Sequence, residues 1–119
     1  MPLIEGSILY RTMMFRSSYL IKDEVQELKS QFTFRNVGQG LFYTGKIGEF
    51  LLVYDCGSLS DNSLRYITHS IEEFHNEVKT DKLGLLVISH FDNDHINGIP
   101  ELSKRFSKID TLIMILVFG

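Results

Sequence analysis

Several absences narrow the field before any motif is read. Cys56 is the one cysteine in 119 residues, so no intramolecular disulfide can form and a disulfide-stapled scaffold is excluded. Glycine and proline, at nine and two residues, are too scarce for a linker or a disordered tail. No excess of positive charge exists: the formal net charge is −3, and a sequence-independent grip on nucleic acid needs a basic face. An acidic balance still permits phosphate chemistry, because bound cations dominate the local field. No apolar run is long enough to span a bilayer; the longest, Leu112 to Phe118, falls far short. The first residues lack a basic segment followed by a long apolar one, so nothing reads as a secretory signal, and cytoplasm is the expected compartment. What remains is a composition of 44% hydrophobic and 23% charged residues, ordinary for one small globular domain.

The most informative stretch is L-G-L-L-V-I-S-H-F-D-N-D-H-I-N-G, Leu83 to Gly98. Leu85 to Ile88 is a short apolar run that fits a strand buried on both faces. Directly after it, His90, Asp92, Asp94 and His95 crowd four ionisable groups into six positions. Adjacent carboxylates repel and each loses hydration on burial, so such crowding calls for a counter-charge. A divalent cation supplies one, since imidazole nitrogen and carboxylate oxygen are both good donors to zinc and its neighbours. The bland alternative, a polar loop facing water, explains a lone His or Asp better than it explains this cluster. A calcium loop is excluded, because an EF-hand counted from Asp92 would place Asn97 at its glycine and Ser103 at its closing glutamate.

Around this loop the chain reads as strands and helices in alternation. Ser7 to Phe15 and Tyr19 to Ile21 have strand composition, with Arg16-Ser17-Ser18 as a possible turn, while Val25 and Leu28 suggest a short helix over 22–30. Phe32, Phe34 and Val37 suggest a strand with Thr33 and Arg35 on its other face. Gly38-Gln39-Gly40 reads as a tight turn; a dinucleotide-binding loop would need glycine where Tyr43 stands. Gly45 to Gly48 suggests another turn, and Phe50 to Tyr54 a strand leading into Asp55. Ser60 or Asp61 could cap a helix that places Leu64, Ile67, Ile71, Phe74 and Val78 on one face, with His69 and His75 off that stripe. Gly98-Ile99-Pro100 suits a helix start, and Glu101 to Lys108 supplies two turns with Leu102 and Phe106 turned inward. Lys104, Arg105 and Lys108 read as a solvated face or, more sharply, a substrate contact. Thr111 to Val117 is a last apolar strand. This order predicts an α/β fold.

H-F-D-N-D-H-I-N-G resembles the signature of the metallo-β-lactamase superfamily, H-x-H-x-D-H after an apolar strand, with Asp92 at the second ligand place. That variant resembles the branch containing the metallo-hydrolase domains of DNA-uptake competence channels. N-V-G-Q-G at 36–40 and V-Y-D-C-G-S at 53–58 fall in the family's order, and the resemblance covers roughly 32–117, the front half of the family's domain. Residues 1–31 would be an N-terminal extension to it. The resemblance implies the N-terminal half of a four-layered αββα sandwich, a mixed sheet with flanking helices. It implies that His90 and Asp92 hold one metal, that Asp94 and His95 hold the other, and that Asp94 is also catalytic. Asp55 would order the loop by hydrogen bonding, or cap a turn with Gly57, or both. The implied activity is hydrolysis of a phosphodiester or related ester by a metal-bound hydroxide, with zinc as the metal and manganese a rival favoured by the oxygen of Asp92. The family completes its site with later histidines and a bridging aspartate. No histidine follows His95, so the expectation is either an incomplete hydrolase needing a longer product or partner chain, or a non-catalytic remnant acting as a binding module. The uniformly apolar Leu112 to Phe118 further predicts an aggregation-prone edge and a poorly soluble or oligomeric chain.

Overall fold

The computed structural model describes residues 11–21, 24–59 and 64–115. Six strands form one mixed sheet in the order β1-β2-β3-β4-β5-β6, each beside its neighbour in sequence. The first four, β1 (Arg11–Ile21), β2 (Glu24–Phe34), β3 (Gly40–Ile47) and β4 (Phe50–Ser58), form an antiparallel meander. Then the connections lengthen and the pairing becomes parallel: α1 (Arg65–Val78) leads to β5 (Lys82–Ile88), and α2 (Asn93–Ile96) with α3 (Ile99–Arg105) leads to β6 (Lys108–Met114). Parallel neighbours require such crossovers. Two successive crossovers of the same hand, stepping in the same direction, place their helices on the same face of the sheet. Accordingly the ring of Phe74 in α1 lies 5.3 Å from Phe106 just after α3 and 6.1 Å, edge-on, from Phe42 in β3.

The core sits between that face and the helices. Phe42, Leu51, Val53, Leu86 and Ile88 from the strands meet Ile67, Ile71, Phe74, Leu102 and Phe106. Of the stripe expected on α1, Ile67, Ile71 and Phe74 are buried, and Leu64 and Val78 pack against the core from its margins. The helix begins after Leu64 without a side-chain cap; the caps expected at Ser60 or Asp61 lie outside the described residues. α3 starts as expected, with Pro100 in its first turn and Leu102 buried, but it ends at Arg105 and not Lys108, which opens β6 three residues before the strand expected from Thr111.

Three further expectations are corrected. The segment expected as a helix over 22–30 is strand from Glu24, paired along its length with β1 from Arg11↔Phe34 to Ile21↔Glu24. Two apolar residues among charged ones are a weak helical signal, and an eleven-residue antiparallel partner outweighs it. For the same reason Arg16-Ser17-Ser18 lies inside β1 and makes no turn. The turn expected across Gly45–Gly48 is tighter: β3 continues to Ile47, and Gly48 alone takes a left-handed φ of 58°.

Thr33 and Arg35 do lie on the face opposite Phe32 and Phe34, but they face the helices. Arg35 is buried there with each of its three nitrogens hydrogen-bonded. Its Nε donates to Thr44 Oγ1 (3.1 Å), its two terminal nitrogens fork onto Glu77 of α1 (2.7 and 2.9 Å), and the guanidinium lies 5.1 Å from the Phe74 ring. The aromatic residues take the opposite face, where Tyr43 packs against Phe34 (4.5 Å) and Phe32 (6.1 Å). Among the described residues, that second face has no covering layer, and Phe34 is 44% exposed. No helix among the described residues is long and apolar enough to cross a membrane.

Candidate metal centre

The site gathers where β4 and β5 end. On β4 the pairing with β3 slips: Tyr54 opposes Tyr43 and Cys56 opposes Phe42, so Asp55 is the extra residue of a β-bulge. Its φ is 60°, a left-handed conformation that aspartate tolerates better than most residues. The bulge turns the Asp55 carboxylate out of the strand's alternation and under the end of β5, where it is fully buried.

Burial of a carboxylate demands donors, and Asp55 has three. Oδ1 accepts the backbone N–H of Ser89 (2.7 Å), while Oδ2 accepts the Ser89 hydroxyl and the Nδ1–H of His95 (2.7 Å). Proton bookkeeping then fixes the neighbouring ring. The single hydroxyl proton of Ser89 goes to Asp55, so its oxygen accepts from His90 Nδ1, 3.0 Å away. In their neutral forms both imidazoles are therefore Nδ1–H tautomers with the Nε2 lone pair free. A carboxylate or hydroxyl behind the imidazole is the arrangement that orients metal-ligating histidines. The two rings lie 4.9 Å apart between centroids, and Asp94 Oδ2 approaches His95 Nε2 at 3.7 Å.

Ligand-type atoms of Asp55, His90 and His95 lie within 4.8 Å of one another. Both Asp55 oxygens are already occupied by protein donors, so the carboxylate serves the cluster best as the group that holds His95. The free donors are the two Nε2 atoms, with Asp94 beside that of His95. Asp92 stands apart: it is the exposed residue before α2, makes no side-chain cap hydrogen bond, and is not among the three clustered residues. Of the four ligands expected from sequence, the fold clusters His90 and His95 with Asp55; Asp94 approaches His95 alone, and Asp92 stands at the rim.

The other two motifs fasten the loop in place. A side chain at Gly57 would sit 2.6 Å from the Asp94 carbonyl carbon, so glycine there lets the α2 backbone lie directly on β4. Asn97 extends β4 like an added strand, accepting from Ser58 N (2.8 Å) and donating to Ser58 O (2.6 Å). Ser58 Oγ donates to Val37 O, and Leu59 N to Gln39 O (2.7 Å), tying in the 36–40 turn. Gly98 N–H reaches Cys56 O at 2.8 Å. Cys56 is buried, and its thiol is pushed well up, first by burial and second by the Asp55 charge, so it is an inert core group. Sequence reasoning passed over Ser89 and Asn97, whose roles depend on partners 34 and 39 residues away.

The histidines off the α1 stripe stay outside this centre. His69 is exposed near Glu73 (3.8 Å), and His75 pairs with Asp81 (3.0 Å) against the Phe106 ring. The basic cluster is largely engaged by acids: Arg105 reaches Glu72 (2.9 Å), and Lys104 lies 3.6 Å from Glu101. No family model, curated protein or solved structure matches the chain.

Proposed function

We propose that this chain carries the front part of a metal-dependent hydrolase resembling the metallo-β-lactamase superfamily, acting on a phosphodiester or related ester. The observation that carries the reading is the orientation of two neighbouring imidazoles by Asp55 and Ser89, leaving both Nε2 atoms free, with the Asp94 carboxylate 3.7 Å from that of His95. Two nitrogens and a carboxylate oxygen suit zinc, with manganese the harder-donor alternative. A divalent cation bound there would acidify a coordinated water and offset negative charge on the attacked group.

The residues of the chain do the rest. His90 and His95 would hold the cation, Asp55 keeps the His95 ring from turning, and Asp94 Oδ2 is the nearest carboxylate oxygen to accept a proton. Asp92, at the loop rim, is available to a second cation whose remaining donors would come from a further segment or a partner chain. The four-layered αββα arrangement belongs to the same proposal. It is supported by the uncovered apolar face of the sheet, which a second sheet would bury. A cytoplasmic location fits the single reduced cysteine.

Zinc and manganese titrations of the chelator-stripped protein, followed by calorimetry, test the reading. Saturable binding that His90→Ala and His95→Ala each abolish is the expected result. Binding indifferent to His95→Ala would defeat it. Zinc-dependent cleavage of a model phosphodiester by a completed domain would then separate the hydrolase from a non-catalytic binding module.

A further inference from the structure

A second concave surface lies at the opposite end of the sheet, about 20 Å along β5 from the metal loop. There α1 ends and the starts of β4, β5 and β6 are left open, enclosing a cleft of about 500 Å³. That volume is in the range of small-molecule sites. Lys46, Lys79 and Lys82 line it together with Phe50 and two acids, Glu49 and Asp110, an excess of one positive charge.

The charges do not cancel. Lys82 Nζ sits 3.3 Å from Asp110 Oδ2, an exposed pair, whereas Lys46 and Lys79 make no ion pair among the described residues. Lys46 also lines an adjoining cleft of about 520 Å³ that carries Arg16 and Lys29. Those two face each other directly across the β1–β2 ladder. In a chain of net charge −3, this end is locally basic.

The aromatic component is equally specific. Phe50 is 47% exposed, and its ring rests on Gly84, where any side chain would overlap the ring atoms. Glycine in mid-strand thus makes room for the ring against β5, while Phe50 stays half exposed and lines the cleft. Thr80 Oγ1 accepts from Lys82 N (3.3 Å), which leaves its hydroxyl proton free to donate.

We propose that this cleft binds a nucleoside phosphate, its base stacked on Phe50 and its phosphates held by Lys46 and Lys79. The proposal stands apart from the metal reading, and its test excludes the metal loop by including EDTA. Calorimetric titration of the full chain with ADP, adenosine and inorganic pyrophosphate should show ADP binding more tightly than either fragment. The double variant Lys46→Ala/Lys79→Ala should weaken ADP by roughly tenfold or more. Phe50→Leu, which keeps apolar packing on Gly84, should weaken ADP roughly tenfold while leaving pyrophosphate unchanged. Failure of ADP to saturate, equal affinity for ADP and pyrophosphate, or ADP binding unaltered in either variant would overturn the proposal.

Discussion

At the scale of single residues, Asp55 carries the most consequence. It is wholly buried, it satisfies three donors, and it decides which nitrogen of His95 is free. Asp55→Asn keeps the volume but replaces one acceptor oxygen with a donor, opposing the Ser89 and His95 protons. Zinc affinity measured by competition with a chromophoric chelator should fall about 10- to 100-fold. Cys56 gives a pH signature. Its thiol is held up in the folded state by burial and by Asp55, so the unfolded chain loses that proton first. Stability is unaffected below the ordinary thiol range and falls as pH rises above about 8.5, by up to about 1.4 kcal/mol per pH unit. Urea midpoints from pH 7 to 10 should show this decline, and Cys56→Ala should flatten it.

At the scale of elements, the short helix α2 depends on the strand beneath it. Gly57→Ala would drive a methyl into the Asp94 carbonyl carbon and lift α2 from β4. A loss of about 1–3 kcal/mol in thermal or urea unfolding is expected, with weaker zinc binding alongside. The elements also show where sequence was informative. α1 and α3 were legible because their apolar spacing is unambiguous and because Pro100 marks a start. The meeting of His90 and His95 was legible because four ionisable groups in six positions have few explanations. Glu24–Phe34 was not, since its strand state comes from a partner and only weakly from its own composition. The burial of Thr33 and Arg35 beneath Phe32 and Phe34 was equally hidden: polar side chains go inward only when Thr44 and Glu77 are waiting. Ligand geometry was invisible for a similar reason, because Asp92 and Asp94 look equivalent until α2 turns one inward and leaves the other at its start.

At the scale of the whole molecule, the described residues cover the sheet on one side and leave it bare on the other. Helices cover Phe42, Leu51 and Val53, while Phe34 and Ile113 on the opposite face are 44% and 46% exposed; Leu112 and Met114, in register with Leu86 and Ile88 on the helix side, are each 50% exposed at the sheet edge. Parallel strands are normally covered on both faces, yet β6 offers both faces to solvent among the described residues. Self-association is expected, visible by light scattering as a mass that rises with concentration. Leu112→Lys with Met114→Lys should reduce it without lowering the melting temperature; a monodisperse monomer in the unaltered chain would contradict this.

The bulge at Asp55 has a wider effect than aiming one carboxylate. Before it, odd-numbered residues of β4 look toward the helices; after it, the phase has shifted by one and Cys56 takes that side. The strand is in effect two rulers joined at a single tick. Amino-acid exchanges along it disturb one neighbour each, whereas the loss or gain of one residue between Tyr54 and Cys56 would turn Gly57 and Ser58 over together. The docking of the metal loop is thus written in the chain's length at that point as firmly as in its letters.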